Sequence, residues 1–204
     1  MINIKNRIFF NSNIQVSYYD LDVWCFKRTK ISDDLHEVFV IGYEIIIDEI
    51  DSSKSIFRVS VSTRFLLELG LKTRHLAADA TYKLIFQGFP VFLIGVNDMC
   101  RVFNASSLSI CSGETGDDYA FVFRSVKIIT DRLFFNCIST YFPTALIADG
   151  ATAITNGFVS VFLVCLVRIM CWAHVVRAVD KRLNVLAIKE YKNEIFVDIY
   201  VDNS

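Results

Sequence analysis

Two aspartates in this chain stand where chemistry could be done. Asp79 closes the run HLAAD (75–79), and Asp149 closes ALIAD (145–149). Each run is short and apolar, as a buried strand would be, so each carboxylate would be delivered at a strand tip. Carboxylates presented in that way suit a divalent cation, because Mg²⁺ takes one or two of them and fills its octahedron with water and phosphate oxygens. The plain alternatives are local. Asp79 can serve as a turn residue after its strand, and Asp149-Gly150 as a strand-to-helix turn in which the aspartate caps a helix starting near Ala151.

Other residues offer fragments of sites. Cys171 and His174 have Cys-x-x-His spacing, half of the four ligands a structural zinc needs. A buried thiol beside a helix-start histidine accounts for the same two residues. Lys83, Arg177, Lys181 and Arg182 are candidates for phosphate contact, with Arg177 and Lys181 four apart on one expected helix face. A solvated helix face explains them equally well, and Asp180 interrupts the cluster. Glu114 reads as ordering a loop ahead of a helix. His36 sits in the polar stretch Lys27–Glu37 as an exposed side chain, and His75 has no partner that the sequence identifies.

The elements that must position these residues follow from periodicity and caps. Ser62 is expected to cap a helix through Leu69, with Phe65, Leu66 and Leu69 on its inner face and Gly70 as its stop. Three strands follow, His75–Thr81, Val91–Val96 and Val102–Cys111, with a turn at Gln87–Pro90; together they make an antiparallel meander. Thr115 and Asp118 form a variant capping box for a helix that buries Tyr119, Val122, Phe123 and Val126. Ala145–Ala148 is a fourth strand, Ala151–Val161 a helix, and Val164–Cys171 a fifth strand. A last helix from Ala173 turns Val175, Val176, Val179 and Leu183 inward. Residues 1–58 carry two or more strands, from the alternation of Ile14, Val16 and Tyr18 and from the run Val38–Ile47.

Composition narrows the class. A hydrophobic share of 53% against 21% charged residues supports a packed core. Net charge is −1, from 21 Lys+Arg and 22 Asp+Glu, which argues against a self-sufficient nucleic-acid binder yet is compatible with a carboxylate-bearing metal site. Six scattered cysteines within apolar runs fit buried thiols in a reducing compartment better than a disulfide frame. The apolar run 157–167 is cut by Arg168 at about half the length of a membrane span. The chain therefore reads as soluble and intracellular, in nucleus or cytoplasm, and not bound to membrane.

Taken in order, DATYKL (79–84), GFPVFLIGVND (88–98), SGETGDDYAFVF (112–123), ADGATAI (148–154) and CWAHVVRAV (171–179) resemble the transposase domain of Mutator-like elements. The similarity spans roughly residues 60–185. It implies an α/β ribonuclease H-like fold, a mixed five-stranded sheet with flanking helices in which the first strand lies centrally and the fourth runs parallel beside it. The domain limits would be a β-containing N-terminal region at 1–58, the transposase-like domain at 59–189 and a tail at 190–204. The resemblance implies Asp79 and Asp149 as catalytic metal ligands for Mg²⁺ or Mn²⁺, and Cys171 and His174 as the family's Cys-x-x-His pair, with zinc a further candidate cofactor. The implied reaction is DNA cleavage and strand transfer in transposition. The implied partners are the element's terminal repeats and target DNA, together with a second copy of the chain.

The family's third acid lies beyond a helical insertion. Only Glu190, Glu194 and Asp198 follow in the available segment, none in a recognised motif, so a fragment lacking that acid is expected. Residues 1–58 contain one cysteine, Cys25, and one histidine, His36, too few for the zinc-binding DNA-recognition module common in the family. The alternative to a catalytic domain is a domesticated, non-catalytic regulator that associates with DNA or protein. A third reading is an α/β domain unrelated to nucleic acid, with both aspartates as turn residues.

Overall fold

A computed structural model describes residues 7–11, 14–82, 84–85, 87–97, 102–134, 141–163 and 167–185. The chain divides into two compact units, Met1–Ile169 and Met170–Ser204. The first opens on an antiparallel pair, β1 (Arg7–Asn11) and β2 (Ile14–Ser17). Helix α1 (Tyr18–Phe26) follows at once, although the alternation ending at Tyr18 predicts strand. A capping box decides the matter: the Ser17 hydroxyl accepts from the Asp20 N–H at 3.1 Å, and the Asp20 carboxylate accepts from the Ser17 N–H at 3.1 Å.

Seven strands form the main sheet. In chain order they are β3 (Phe39–Ile46), β4 (Ile56–Ser62), β5 (His75–Thr81), β6 (Val91–Asn97), β7 (Phe103–Cys111), β8 (Ala145–Ala148) and β9 (Val167–Met170). Across the sheet the order is β3-β4-β7-β6-β5-β8-β9. The expected meander is present as β5-β6-β7, and β8 pairs with β5 in parallel. The expected five strands are corrected to seven. Residues 39–62 add β3 and β4, and β4 pairs antiparallel with β7 from Arg58↔Cys111 to Val61↔Leu108, covering what would otherwise be an open sheet edge.

One face of the sheet carries the larger core. Between β7 and β8 lies α3 (Gly116–Phe134), and between β8 and β9 lies α4 (Thr152–Phe162). Leu76, Ala78, Phe92, Ile94 and Leu146 from the strands meet Tyr119, Val122, Phe123, Ile154 and Phe158 from the helices. The rings run in sequence through this core, Phe92 edge-on to Tyr119 at 4.8 Å and Phe123 edge-on to Phe158 at 5.4 Å, geometry that aromatic pairs favour. Close approach of α3 and α4 requires Gly157, where a Cβ would sit 2.5 Å from the Tyr119 Cβ and 2.8 Å from the Gly116 carbonyl oxygen.

The opposite face carries α1 over β4, with Tyr18, Leu21, Cys25, Val40, Phe57 and Val59 forming a second cluster. An apolar recess of about 510 Å³ lies beside it, walled by Leu21, Trp24, Phe57, Val61, Leu108 and Ile110. Cys25 and Cys111 are buried thiols; Cys100, Cys137 and Cys165 lie outside the described residues.

Helix α2 (Arg64–Gly70) begins one residue later than expected, capped by the Thr63 hydroxyl, which accepts from the Leu66 N–H at 3.2 Å. Ser62 instead donates to the Ser106 carbonyl at 2.5 Å, a buried bond to β7. The inner face of α2 is also corrected: Leu67 is buried and Phe65 is exposed, its ring stacked 4.9 Å from the exposed His36. Helix α4 ends at Phe162, where Leu163 adopts φ 53°, so the apolar run around it folds into a helix end and a strand. Among the described residues, no helix is long and apolar enough to cross a membrane.

The second unit contributes α5 (Trp172–Val185). Leu183 on it is buried, and Val175, Val176 and Val179 are half-buried.

Candidate functional site

Strand pairing brings the two aspartates to one place. The parallel register of β5 and β8 runs His75↔Ala145, Leu76↔Leu146, Ala77↔Ile147. Asp79 and Asp149 each stand two residues beyond the last of these pairs, at the same end of neighbouring strands. Adjacent strands lie about 4.8 Å apart, which is the backbone spacing from which these two carboxylates project. The residues just before them, Ala78 and Ala148, are buried in the core, whereas Asp79 is exposed and Asp149 half-buried.

Each carboxylate also does local structural work. Asp79 Oδ1 accepts from the Ala80 N–H at 3.0 Å. Asp149 Oδ1 accepts from the Ala151 N–H at 2.8 Å, closing the strand-to-helix turn. Ala151 itself occupies the N-cap of α4 and offers no side-chain oxygen, so Asp149 supplies the bond that the cap residue cannot.

Glu114 is a third carboxylate in this neighbourhood. Its Oε2 accepts from the Tyr82 hydroxyl at 2.5 Å, and its Oε1 accepts from the Tyr119 hydroxyl at 2.9 Å. Tyr119 is fully buried. Burial, then the bond to Glu114, then the charges of Glu114, Asp149 and Asp79 push its phenol far above the usual tyrosine range. One buried ring thus feels all three acids. Bonding to Glu114, followed by desolvation and the nearby negative charge, pushes Tyr82 up to about 12. Both phenols remain donors at neutral pH.

A cation stands on the other side of Asp149. Arg168 donates to the Ala148 carbonyl at 3.1 Å, to the Ile169 carbonyl at 2.8 Å and to the Thr155 hydroxyl at 3.2 Å, tying β8, β9 and α4 together. Burial lowers its guanidinium from the usual value while the Asp149 charge pulls the other way.

Comparison with known proteins finds no match. No family model, no curated protein and no solved structure corresponds to this chain.

The remaining sequence candidates divide by location. Cys171 and His174 belong to the second unit, where the Cys171 carbonyl accepts the His174 and Val175 N–H groups at 2.9 and 3.1 Å and starts α5. Two ligands do not make a structural zinc site, and among the described residues no group of three or more His, Cys, Asp or Glu is placed to hold a metal ion. Arg177, Lys181 and Arg182 are exposed on α5, and Arg177 and Lys181 have the expected four-residue spacing. Lys83, Glu190, Glu194 and Asp198 lie outside the described residues. His75 gains a partner: the Asn97 N–H donates to its Nε2 at 3.2 Å, joining the outer ends of β5 and β6.

Sequence reasoning did not assign Tyr82 or Arg168 a place beside the aspartates, and it gave Glu114 only a loop-ordering part. Tyr82 stands three residues after Asp79 in the DATYKL run, and Arg168 is the charge that interrupts an apolar run. Those are the signals that were present.

Proposed function

We propose that this chain contains a ribonuclease H-like transposase domain related to that of Mutator-like elements, with Asp79 and Asp149 as a divalent-metal pair. Its ancestral reaction is Mg²⁺-dependent cleavage and strand transfer of DNA, which carries with it a nuclear site of action. The observation that carries the reading is the parallel register of β5 and β8, which extends to Asp79 and Asp149 at one end of the sheet. The sheet order supports it: counted from β5, the strands lie third, second, first, fourth, fifth, with the first antiparallel to the second and parallel to the fourth.

The donor set fits a hard cation. Two carboxylates are what Mg²⁺ commonly takes from protein, with water and substrate phosphate supplying the rest. Such an ion stabilises the attacking and leaving oxygens of an in-line phosphoryl displacement. The contribution of the chain itself is to fix the two carboxylates on rigid strand ends, and to offer the exposed Arg177, Lys181 and Arg182 as phosphate contacts.

Thermal denaturation of the chain with and without Mg²⁺ or Mn²⁺ tests the reading. At a cation concentration a hundredfold above Kd, linkage adds about 2.7 kcal/mol of stability. Asp149→Ala and Asp79→Ala should each remove that increment. An unmutated chain whose melting temperature ignores both cations would sink the metal assignment.

One observation favours a second reading, a transposase-derived regulator without catalysis. Asp149 already holds the Ala151 N–H, a structural task that explains its presence without chemistry. In that case Asp149→Ala lowers stability equally with and without cation, and any DNA binding is insensitive to Mg²⁺.

A further inference from the structure

Tyr82 leaves β5 three residues after Asp79, and Tyr119 sits in the first turn of α3, yet both phenols donate to the same carboxylate. The distances are 2.5 Å to Oε2 and 2.9 Å to Oε1 of Glu114. A carboxylate that receives two hydroxyl donors on its two oxygens has its position fixed along both bond directions, and ion-assisted bonds of this kind are about twice as strong as neutral ones. The two donors differ in mobility. Tyr119 is fully buried and packed edge-on against Phe92, so it anchors Glu114 to the core, whereas Tyr82 is 50% exposed and belongs to the segment that continues from Asp79.

We propose that Glu114 is a positioning residue for Asp79: it transmits the rigidity of α3, through Tyr119, to the exit of β5, through Tyr82. The proposal rests on the metal-pair reading above. Asp149 needs no equivalent, because the turn bond to Ala151 and the Arg168 bond to the Ala148 carbonyl already fix its backbone. Asp79 lacks such support from its own strand, since the printed β5–β8 register ends at Ala77. The bridge from Glu114 supplies the missing constraint 32 residues away from Tyr82 in sequence. A further consequence is electrostatic. Glu114 adds a negative charge to the surroundings of Tyr119 that Asp79 and Asp149 already share, which raises the local attraction for a cation.

Partners that orient a metal ligand change affinity by about 10- to 100-fold when removed. Mn²⁺ titration of the full chain, read by the melting temperature and by the electron paramagnetic resonance signal of bound Mn²⁺, tests the assignment. Tyr82→Phe deletes one exposed hydroxyl and leaves the core intact, so it is the decisive variant. It should weaken Mn²⁺ binding about tenfold. Glu114→Ala should weaken it at least as much, and Tyr82→Phe/Glu114→Ala no further than Glu114→Ala, because both remove one bridge. Glu114→Gln keeps an acceptor and loses the charge, so it should fall between the wild type and Glu114→Ala. A wild-type Mn²⁺ midpoint in Tyr82→Phe, or losses that simply add in the double variant, would overturn the proposal. Failure of the underlying reading looks different: the unmutated chain then binds no Mn²⁺, or Asp149→Ala binds it as well as the wild type.

Discussion

Asp118 and the pair Asp79/Asp149 are the same side chain put to opposite uses within one sheet-and-helix unit. Asp118 is 2% exposed, and both its oxygens are committed: Oδ1 to Arg58 Nε at 2.6 Å, Oδ2 to the Thr115 N–H and hydroxyl at 2.8 and 2.7 Å. Arg58 in turn reaches Glu44 on β3 at 2.5 Å, so a buried ion triad welds β3, β4 and the start of α3. Hydrogen bonds to Asp118 and Glu44 outweigh burial and raise the Arg58 guanidinium above its usual value. At the other half of the sheet, Asp79 and Asp149 project past strand ends at the solvent boundary, with main-chain N–H groups as partners. Identical chemistry becomes scaffold where the carboxylate is enclosed by donors, and becomes a candidate site where two carboxylates converge at an open edge.

The contrast can be broken by mutation, and the largest effect belongs to the scaffold. Asp118→Ala strands Arg58 and removes a helix cap together, and loss of one partner from a buried pair costs about 3–5 kcal/mol. Urea denaturation of the variant should show that loss; a change below about 1 kcal/mol, the size of an ordinary hydrogen bond, would mean that the triad is not structural. Asp149→Ala removes one turn bond and should cost about 1 kcal/mol in the absence of cation. Asp79→Asn retains an acceptor at an exposed position, so its cation-free stability should lie within about 0.5 kcal/mol of the wild type. If Asp79→Asn proves as damaging as Asp118→Ala, the division between scaffold and site carboxylates is wrong.

The smallest effect is a slope. Unfolded Tyr82 would release its proton near 10.0, whereas the folded chain keeps it up to about 12, through the bond to Glu114 first and desolvation second. Across that interval the folded state binds more protons, so stability falls as pH rises from 10 to 12. Cys25, whose burial raises it from 9.0 to about 12, acts with the same sign and begins earlier. Tyr82→Phe should flatten the upper part of the alkaline decline while leaving the part that begins near 9 unchanged. Melting temperatures measured from pH 8 to 12 would show it, and a decline identical to the wild type would argue against the Tyr82–Glu114 bond.

Much of the catalytic half was legible because its signals are local. Apolar runs bounded by polar residues located β5 and β8 at His75–Thr81 and Ala145–Ala148, and the Thr115–Asp118 box located the start of α3. The same box at Ser17 and Asp20 went unread, since alternation up to Tyr18 pointed to strand and the aromatic-rich sequence YYDLDVWCF has no strong helical stripe. Membership of β3 and β4 in the main sheet was not legible, because pairing between Val61 and Leu108 depends on contacts remote in sequence. Glu114 was illegible for the same reason: its loop and Tyr82 meet only after the sheet and α3 are assembled.

The β5–β8 pairing also sets when the aspartates can meet during folding. The Thr144 hydroxyl reaches the Arg74 carbonyl across 70 residues, a separation that contains the whole meander and α3. Closing a loop of that length carries an entropic cost before any strand bond rewards it, and parallel pairings of this kind form slowly. The hairpin of β5 and β6 can assemble early from neighbouring sequence and would present Asp79 alone. Asp149 arrives only when α3 has docked and β8 has entered the sheet. Cation affinity would then appear late in refolding, after most helical signal has returned, and it would report that the last non-local strand is in place.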